Sequence, residues 1–318
     1  MIPKRRRSRL ELTGLLVAGL LAQACGPNGF RPVETGLSQS LRTVYAASKV
    51  EIHAAGEAGA ILFFDGEGVT NTSTDADPGP RVPNYYGIGA GGGRLRVVGD
   101  NGLILRKQGD NYVYENSRSN RRLLTFLQAT PGLAYVGGEG GYVARSVGGG
   151  GWERVDVRAP GEAKITGAFS TGHSSLVFTT DQGAIIERDR ENEFTVTTIT
   201  TETSTIPLPI FGVWSSSSAQ DLYAVALGGR IFKRPAGAVE WERQESPVNQ
   251  DLYSISGSAP DRIFAVGARG TIVQWDGRSW NNVPSGTAKD LYSVDATSDG
   301  ATVVAVGAGG AMVLLEEE

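Results

Sequence analysis

Short apolar runs of four or five residues, alternating with polar positions and closed by a small residue, recur from about residue 41 to the end of the chain. The unit is plainest near the C-terminus. Leu252-Tyr253-Ser254-Ile255 returns as Leu291-Tyr292-Ser293-Val294, and Ile263-Phe264-Ala265-Val266-Gly267-Ala268-Arg269-Gly270 returns as Val303-Val304-Ala305-Val306-Gly307-Ala308-Gly309-Gly310. Followed backwards, one glycine marks each copy: Gly59, Gly102, Gly140, Gly183, Gly229, Gly270 and Gly310. Two residues after it stands an apolar or aromatic side chain (Ile61, Ile104, Tyr142, Ile185, Ile231, Ile272, Met312). Three residues before it stands a small one (Gly56, Gly99, Gly137, Thr180, Ala226, Gly267, Gly307).

Alternation with a period of two predicts strands, and the turn residues between paired runs predict hairpins. Asp100-Asn101-Gly102 and Asp181-Gln182-Gly183 supply residues that tolerate left-handed backbone in such turns. A second turn falls at Asp65-Gly66, Gly109-Asp110 and Asp276-Gly277. An aromatic then opens the last strand at Tyr112, Trp152, Phe194, Trp241 and Trp280. Four short strands in a unit of roughly 42 residues, seven times over, predict an all-β, seven-bladed β-propeller. A β-helix would have shorter coils, and a leucine-rich array would show Leu and Asn at fixed spacing.

The ends of the chain sharpen this expectation. The last copy stops at Leu314-Leu315-Glu316-Glu317-Glu318, after a third strand. Phe30-Arg31-Pro32-Val33-Glu34-Thr35-Gly36, then Leu41, runs in step with Trp280-Asn281-Asn282-Val283-Pro284-Ser285-Gly286, then Leu291. The N-terminal segment is thus expected to be the missing outer strand. It would complete the last blade by circular permutation and leave no open edge.

Residues ahead of this segment do not fit the repeat. Lys4, Arg5, Arg6, Arg7 and Arg9 precede an apolar stretch from Leu12 to Ala22, followed by Ala22-Gln23-Ala24 and Cys25. This is the three-part layout of a secretory signal, so 1–24 is expected to be a signal peptide. The apolar stretch is about 11 residues, against about 20 for a membrane span. The expected organisation is a signal peptide at 1–24, a short tether at 25–29 and the propeller at 30–318. Cys25, the only cysteine, resembles the lipidated cysteine of bacterial lipoproteins, although Ala22 and not Leu stands three places before it. Ala22-x-Ala24 also suits ordinary signal peptidase, which would leave a free thiol. Under lipidation, Gly26 in place of Asp resembles an outer-membrane address.

The repeats themselves, V-G-x-x-G-x-I followed by x-W, resemble bacterial propellers with BNR and YVTN repeats, including the photosystem II stability and assembly factor group. The resemblance runs from about Phe30 to Leu315. It implies a propeller with a binding or scaffolding role, a fold that serves many unrelated tasks.

Composition and charge narrow the function. Gly is abundant, at 44 residues, which suits tight turns better than helices. Loss of residues 1–24 would remove five of the 30 basic and one of the 34 acidic residues, moving the net charge from −4 to −8. An acidic domain argues against nucleic acid, and leaves the N-terminal lipid as the expected membrane contact. The nearest basic cluster, Arg118, Arg121 and Arg122, is the candidate partner-binding group, with a solvated loop as the plainer account.

Catalytic chemistry finds little support. The sialidase-type Asp-box is absent; Thr180-Asp181-Gln182-Gly183 is the nearest fragment and lacks its Trp. Sugar hydrolysis needs two carboxylates flanking a cleft, and no pair stands out. His53 and His173, the only histidines, share no spacing and read as satisfied strand or surface residues. Asp75-Ala76-Asp77 lacks the ligand count of a calcium loop. Gly148-Gly149-Gly150-Gly151 lacks the Lys-Ser/Thr of a phosphate loop. The polar loop at 68–84, in the weakest first blade, is a further partner site. Thr271, beside the turn glycine Gly270, is expected to face solvent.

The expectation is a non-enzymatic binding or scaffold protein of the bacterial cell envelope, without cofactor or metal and with another envelope protein as partner. The alternative is a carbohydrate-binding lectin or sialidase-like glycoside hydrolase. Acidic and aromatic side chains converging at one channel mouth would favour that alternative; a featureless mouth would favour the scaffold.

Overall fold

The computed structural model describes residues 29–72, 82–147, 151–172, 175–188, 193–199, 208–216 and 220–316. These form seven antiparallel four-stranded sheets, arranged as the blades of a seven-bladed β-propeller. The inner strands are Leu41–Ser48, Tyr85–Gly91, Leu123–Thr130, Ile165–Gly172, Ile210–Ser215, Leu252–Ala259 and Leu291–Ala296 for blades 1 to 7. Apolar residues of neighbouring blades interdigitate between the sheets. Leu41, Ala54 and Leu62 of blade 1, for example, pack against Val304, Val306 and Leu314 of blade 7. Each fully buried Leu or Val of this kind contributes about 1.5–3 kcal/mol.

Blade 7 is completed from the N-terminus. Arg31 and Pro32 pair with Leu314 and Val313, and the Val33 N–H donates to the Met312 carbonyl at 2.8 Å. Phe30 is fully buried and meets Phe264 edge-on at 6.0 Å. It plugs the gap between blades 6 and 7 as Trp280 plugs the one between blades 5 and 6.

The repeated glycines are explained by the connection that leads from one blade to the next. In blade 6 a Cβ on Gly267 would strike the Asp251 carbonyl, and one on Gly270, at φ +70°, would strike the Thr287 carbonyl. In blade 7 the corresponding contact of Gly310 is the Leu37 carbonyl. Leu37 of the N-terminal segment therefore stands where Thr287 stands one blade earlier.

Two expectations are corrected. In blade 3 the 3-10 turn is Glu139–Gly141 after Gly138, matching Asp100–Gly102 after Gly99 in blade 2. The anchor is therefore Gly141 and not Gly140, and the buried residue two places on is Val143. The run Gly137-Gly138-Glu139-Gly140-Gly141 offers glycine at both registers, so sequence spacing alone could not choose. Thr271 is buried, at 8 % exposure: it directly follows Gly270, against which the Thr287 carbonyl of the connection is packed.

One buried ionic group lies between blades 2 and 3. Glu115 accepts from Arg96 Nε at 2.9 Å, Arg106 Nε at 2.8 Å and Trp152 Nε1 at 3.0 Å. Its side chain is 3 % exposed. Three donors from three strands compensate its loss of water, the condition under which a buried carboxylate is tolerated.

A crown of bulge residues at the channel mouth

Every inner strand breaks register between its first and third residues. A bulge of this kind re-aims one side chain out of the regular alternation. The seven bulge residues are Arg42, Tyr86, Leu124, Thr166, Phe211, Tyr253 and Tyr292, and all line the central cavity of about 1130 Å³. They form a crown at the end of the channel where the inner strands begin. The blade-to-blade connections and the glycine turns flank this same end.

The crown has two halves. From blade 5 to blade 1 it is aromatic: Phe211 meets Tyr253 edge-on at 5.8 Å, and Tyr253 lies 6.0 Å from Tyr292. The Arg42 guanidinium sits 4.2 Å over the Tyr292 ring, an attraction between a cation and the ring's negative face. Arg42 also binds the Glu57 carboxylate, and that hydrogen bond holds Glu57 below the usual carboxylate range. Burial raises the phenols of Tyr253 and Tyr86, so both remain neutral hydroxyls at physiological pH.

From blade 2 to blade 4 a chain of alternating charge takes over. Arg122 stacks on Tyr86 at 5.3 Å, donates to Asp100 at 2.8 Å and reaches Glu139 at 3.5 Å. Glu139 in turn lies 3.9 Å from Lys164. The Asp100 contact raises the Arg122 pKa further.

The acidic residues around the mouth have a structural task. Asp251 and Asp290, each directly before an inner strand, accept N–H groups of Gly228 and Arg269 in the preceding blade's turn, at 2.7 and 2.8 Å. Asp181 accepts the Lys164 N–H at 2.8 Å. These carboxylates stitch neighbouring segments together.

The three candidate arginines lie on the connection between blades 2 and 3, at the crown end. Arg122 belongs to the crown's charged half, and Arg121 points to Glu162 at 3.1 Å. Arg118 is exposed, with φ +59°. Arg121 and Arg122 both reach the Glu139–Gly141 turn of blade 3. His53 is neither a surface residue nor a fully satisfied one. It is 4 % exposed, packs on Phe63 at 5.0 Å, and its Nδ1 has no hydrogen-bond partner among the described residues. Burial lowers its pKa, so it is neutral near pH 7. Among the described residues, no three His, Cys, Asp or Glu side chains group as metal ligands. Cys25, Asp75, Asp77, Gly148, Gly149, Gly150 and His173 lie outside the described residues.

Sequence reasoning missed the crown. The Leu-Tyr-Ser pattern at 252–254 and 291–293 was its one visible trace, and strict alternation gave no sign that the Tyr is a bulge residue.

No protein-family model matches the chain. A stretch of 67 residues is 37 % identical to the Photosystem II assembly protein Ycf48 of Synechococcus sp. (strain JA-3-3Ab), covering 20 % of each protein. The match thus spans about a fifth of that relative's length. Among solved structures, YCF48 from Cyanidioschyzon merolae superimposes with a TM-score of 0.73 over 91 % of this chain and 99 % of its own, at 14 % identity. A structure of YCF48 bound to D1 peptide gives 0.73 over 93 % and 97 %, at 13 % identity. The extracellular domain of the two-component protein BT4673 from B. thetaiotaomicron gives 0.73 over 90 % of this chain and 39 % of that one, at 14 % identity. At these identities the structural likeness shows the fold.

Proposed function

We propose that the chain is a non-enzymatic scaffold that receives a segment of a partner protein on the crown end of its channel. The observation that carries this reading is the alignment of all seven bulges. They bring four aromatic rings (Tyr86, Phe211, Tyr253 and Tyr292) and one arginine, Arg42, to one mouth, and Tyr, Trp and Arg dominate protein-binding hot spots. That a similar propeller, YCF48, has been solved bound to D1 peptide supports a peptide as the class of ligand. The partner is an envelope protein, and the chain reaches it after export under residues 1–24. A lipid on Cys25 and the tether at 25–29 hold the propeller at the outer membrane.

The test is crosslinking in native envelopes. A photoreactive residue at Tyr253 is expected to give discrete adducts, and one at Val196, exposed on blade 4, to give none. Equal labelling from both positions refutes docking at the crown. Radiolabelled palmitate checks the anchor: Cys25→Ser should abolish incorporation, and unchanged labelling refutes lipidation.

A second reading rests on the mouth itself, where aromatic and acidic side chains do converge. The Tyr253 and Tyr292 rings, inclined at 39°, offer a platform on which a sugar face could stack. By the criterion set out above this favours a lectin. Hydrolysis fits less well, since Asp181, Asp251 and Asp290 already accept backbone N–H groups and Glu57 and Asp100 are paired with arginine. Glycan binding abolished by Tyr292→Ala would decide for the lectin.

A further inference from the structure

Below the crown, the fifth residues of the inner strands form a second level: Tyr45, Gly89, Leu127, Phe169, Trp214, Ser256 and Asp295, all on the cavity wall. Three strand residues separate the levels, or roughly 10 Å. Between them the third positions carry Thr43, Gly87, Thr125, Gly167, Gly212, Ser254 and Ser293, whose small side chains keep the passage open.

Asp295 is the one ionisable carboxylate at this level. Its oxygens accept the Ala46 N–H at 2.9 Å and the Ser256 hydroxyl at 3.1 Å. Among the described residues, no Lys, Arg or His comes within ion-pair distance of it. The residue is half-buried on the channel wall; a carboxylate withdrawn in part from water without a counter-ion is costly, and burial pushes its titration up to about 6. Three of the other six positions carry aromatic rings, of which Trp214 is largely packed between blades 5 and 6 and 7 % exposed. Phe169 and Trp214 lie 6.3 Å apart, and the Tyr45 phenol is raised first by burial and then by the nearby Asp295 charge.

We propose that this level is a binding site for an alkylammonium group, seated between the Asp295 carboxylate and the rings of Tyr45, Phe169 and Trp214. Three candidate cations can be compared. A hard metal ion needs six or more oxygen ligands, and aromatic rings supply none. A guanidinium is recognised through a two-oxygen fork, whereas each Asp295 oxygen is already engaged by a separate donor. An ammonium is a compact point charge that needs one carboxylate and gains from ring faces, with its alkyl stem against apolar wall. The amine enters along the channel either as a free molecule or as the end of a lysine side chain. The site does not depend on which partner docks at the crown.

Calorimetric titration of the full chain at pH 7.5 tests the site with n-butylammonium, the uncharged and slightly longer n-pentanol, N-acetyl-lysinamide and N-acetyl-argininamide. Butylammonium is expected to bind and pentanol not to bind. Asp295→Asn, which can keep both hydrogen bonds, should weaken butylammonium at least tenfold with unchanged circular dichroism. Phe169→Leu should weaken it several-fold. Competition by the lysine derivative assigns the amine to a side chain, and butylammonium binding alone assigns it to a free amine; both support the site. Absence of amine binding up to about 10 mM, the weak end of specific recognition, overturns the proposal. So does equal affinity for pentanol, equal affinity of Asp295→Asn, or preference for the arginine derivative. Should Asp295→Asn fail to fold, the pentanol comparison and Phe169→Leu decide alone.

Discussion

The Asp295 carboxylate accepts the Ala46 backbone N–H at 2.9 Å across the seam where blade 7 meets blade 1. Through its other oxygen it holds Ser256 of blade 6, so one side chain ties three blades on the channel wall. Nearby, the Val44 N–H donates to Ser293 and the Val294 N–H to Ser254, at 3.3 and 3.2 Å. Inner strands have no sheet partner on the channel side, and side chains of the preceding blade satisfy these donors instead.

Asp295 makes stability depend on pH in a defined direction. Its folded value of about 6 stands above the ordinary carboxylate value of about 3.9, so the folded chain holds this proton more tightly than the unfolded one. Its contribution is therefore gained as pH falls from above 6 towards 4, and lost as pH rises through 6. A difference of about two pH units corresponds to roughly 3 kcal/mol as an upper figure. Tyr45 faces Asp295 from blade 1 and stays neutral throughout this window. His53 pairs with Tyr45, and its own titration is common to both chains when wild type is compared with Asp295→Asn. Urea unfolding at pH 7.5 and 4.5 should show the wild type gaining about 1–3 kcal/mol over the variant on acidification. Parallel pH profiles would show that Asp295 titrates normally.

The buried carboxylate Glu115 should be intolerant of neutralisation. Glu115→Gln leaves Arg96 and Arg106 without their counter-charge, and breaking a buried pair in this way costs about 3–5 kcal/mol. Trp152→Phe removes only one donor and should cost about 1 kcal/mol. Denaturant midpoints for the two variants check the order, and near-equal losses would mean that solvent reaches Glu115.

Gly270 offers a steric test of the repeat. It combines φ +70° with a connection carbonyl where a Cβ would stand, so Gly270→Val should cost about 1–3 kcal/mol or more. Asn282, exposed on the outer strand of the same blade, is the control: Asn282→Thr should stay within about 0.5 kcal/mol. Equal melting temperatures would show that the turn can open to accept a side chain.

Why the glycines were legible and the site was not follows from what each position must do. Gly267 and Gly307 face the same carbonyl approach, so the same residue returns in each copy and the period shows in the sequence. The crown and the level below it repeat in place but not in chemistry. Tyr45, Gly89, Leu127, Phe169, Trp214, Ser256 and Asp295 occupy equivalent sites with no shared character, and alignment of the copies hides them. The bulges arise where inner strands crowd around the axis, a tertiary effect that period-two alternation does not encode. Glu115 escaped for a related reason, since Arg96, Arg106 and Trp152 converge on it from different strands.

Ring closure is the last test, and it concerns the segment that the sequence placed most specifically. Phe30 is fully buried between blades 6 and 7, Arg31 and Pro32 extend the sheet of blade 7, and Thr35 Oγ1 donates to the Gly310 carbonyl at 2.7 Å. Without this segment the strand Met312–Glu316 would present unpaired N–H and C=O groups, an edge that invites association. Phe30→Ala alone should cost about 3–5 kcal/mol, the usual loss for a buried aromatic. The exposed Arg31–Glu316 pair, at 2.7 Å, is a much weaker clasp, and Arg31→Ala should cost no more than about 1 kcal/mol. A chain beginning at Leu41 should melt lower than one beginning at Asn28 and should form oligomers in size-exclusion chromatography coupled to light scattering. If the shorter chain melts at the same temperature and stays monomeric, the N-terminal strand is not the clasp. Stability would then have to come from the contact of blade 7 with blade 1, through Leu41, Val304 and Leu314.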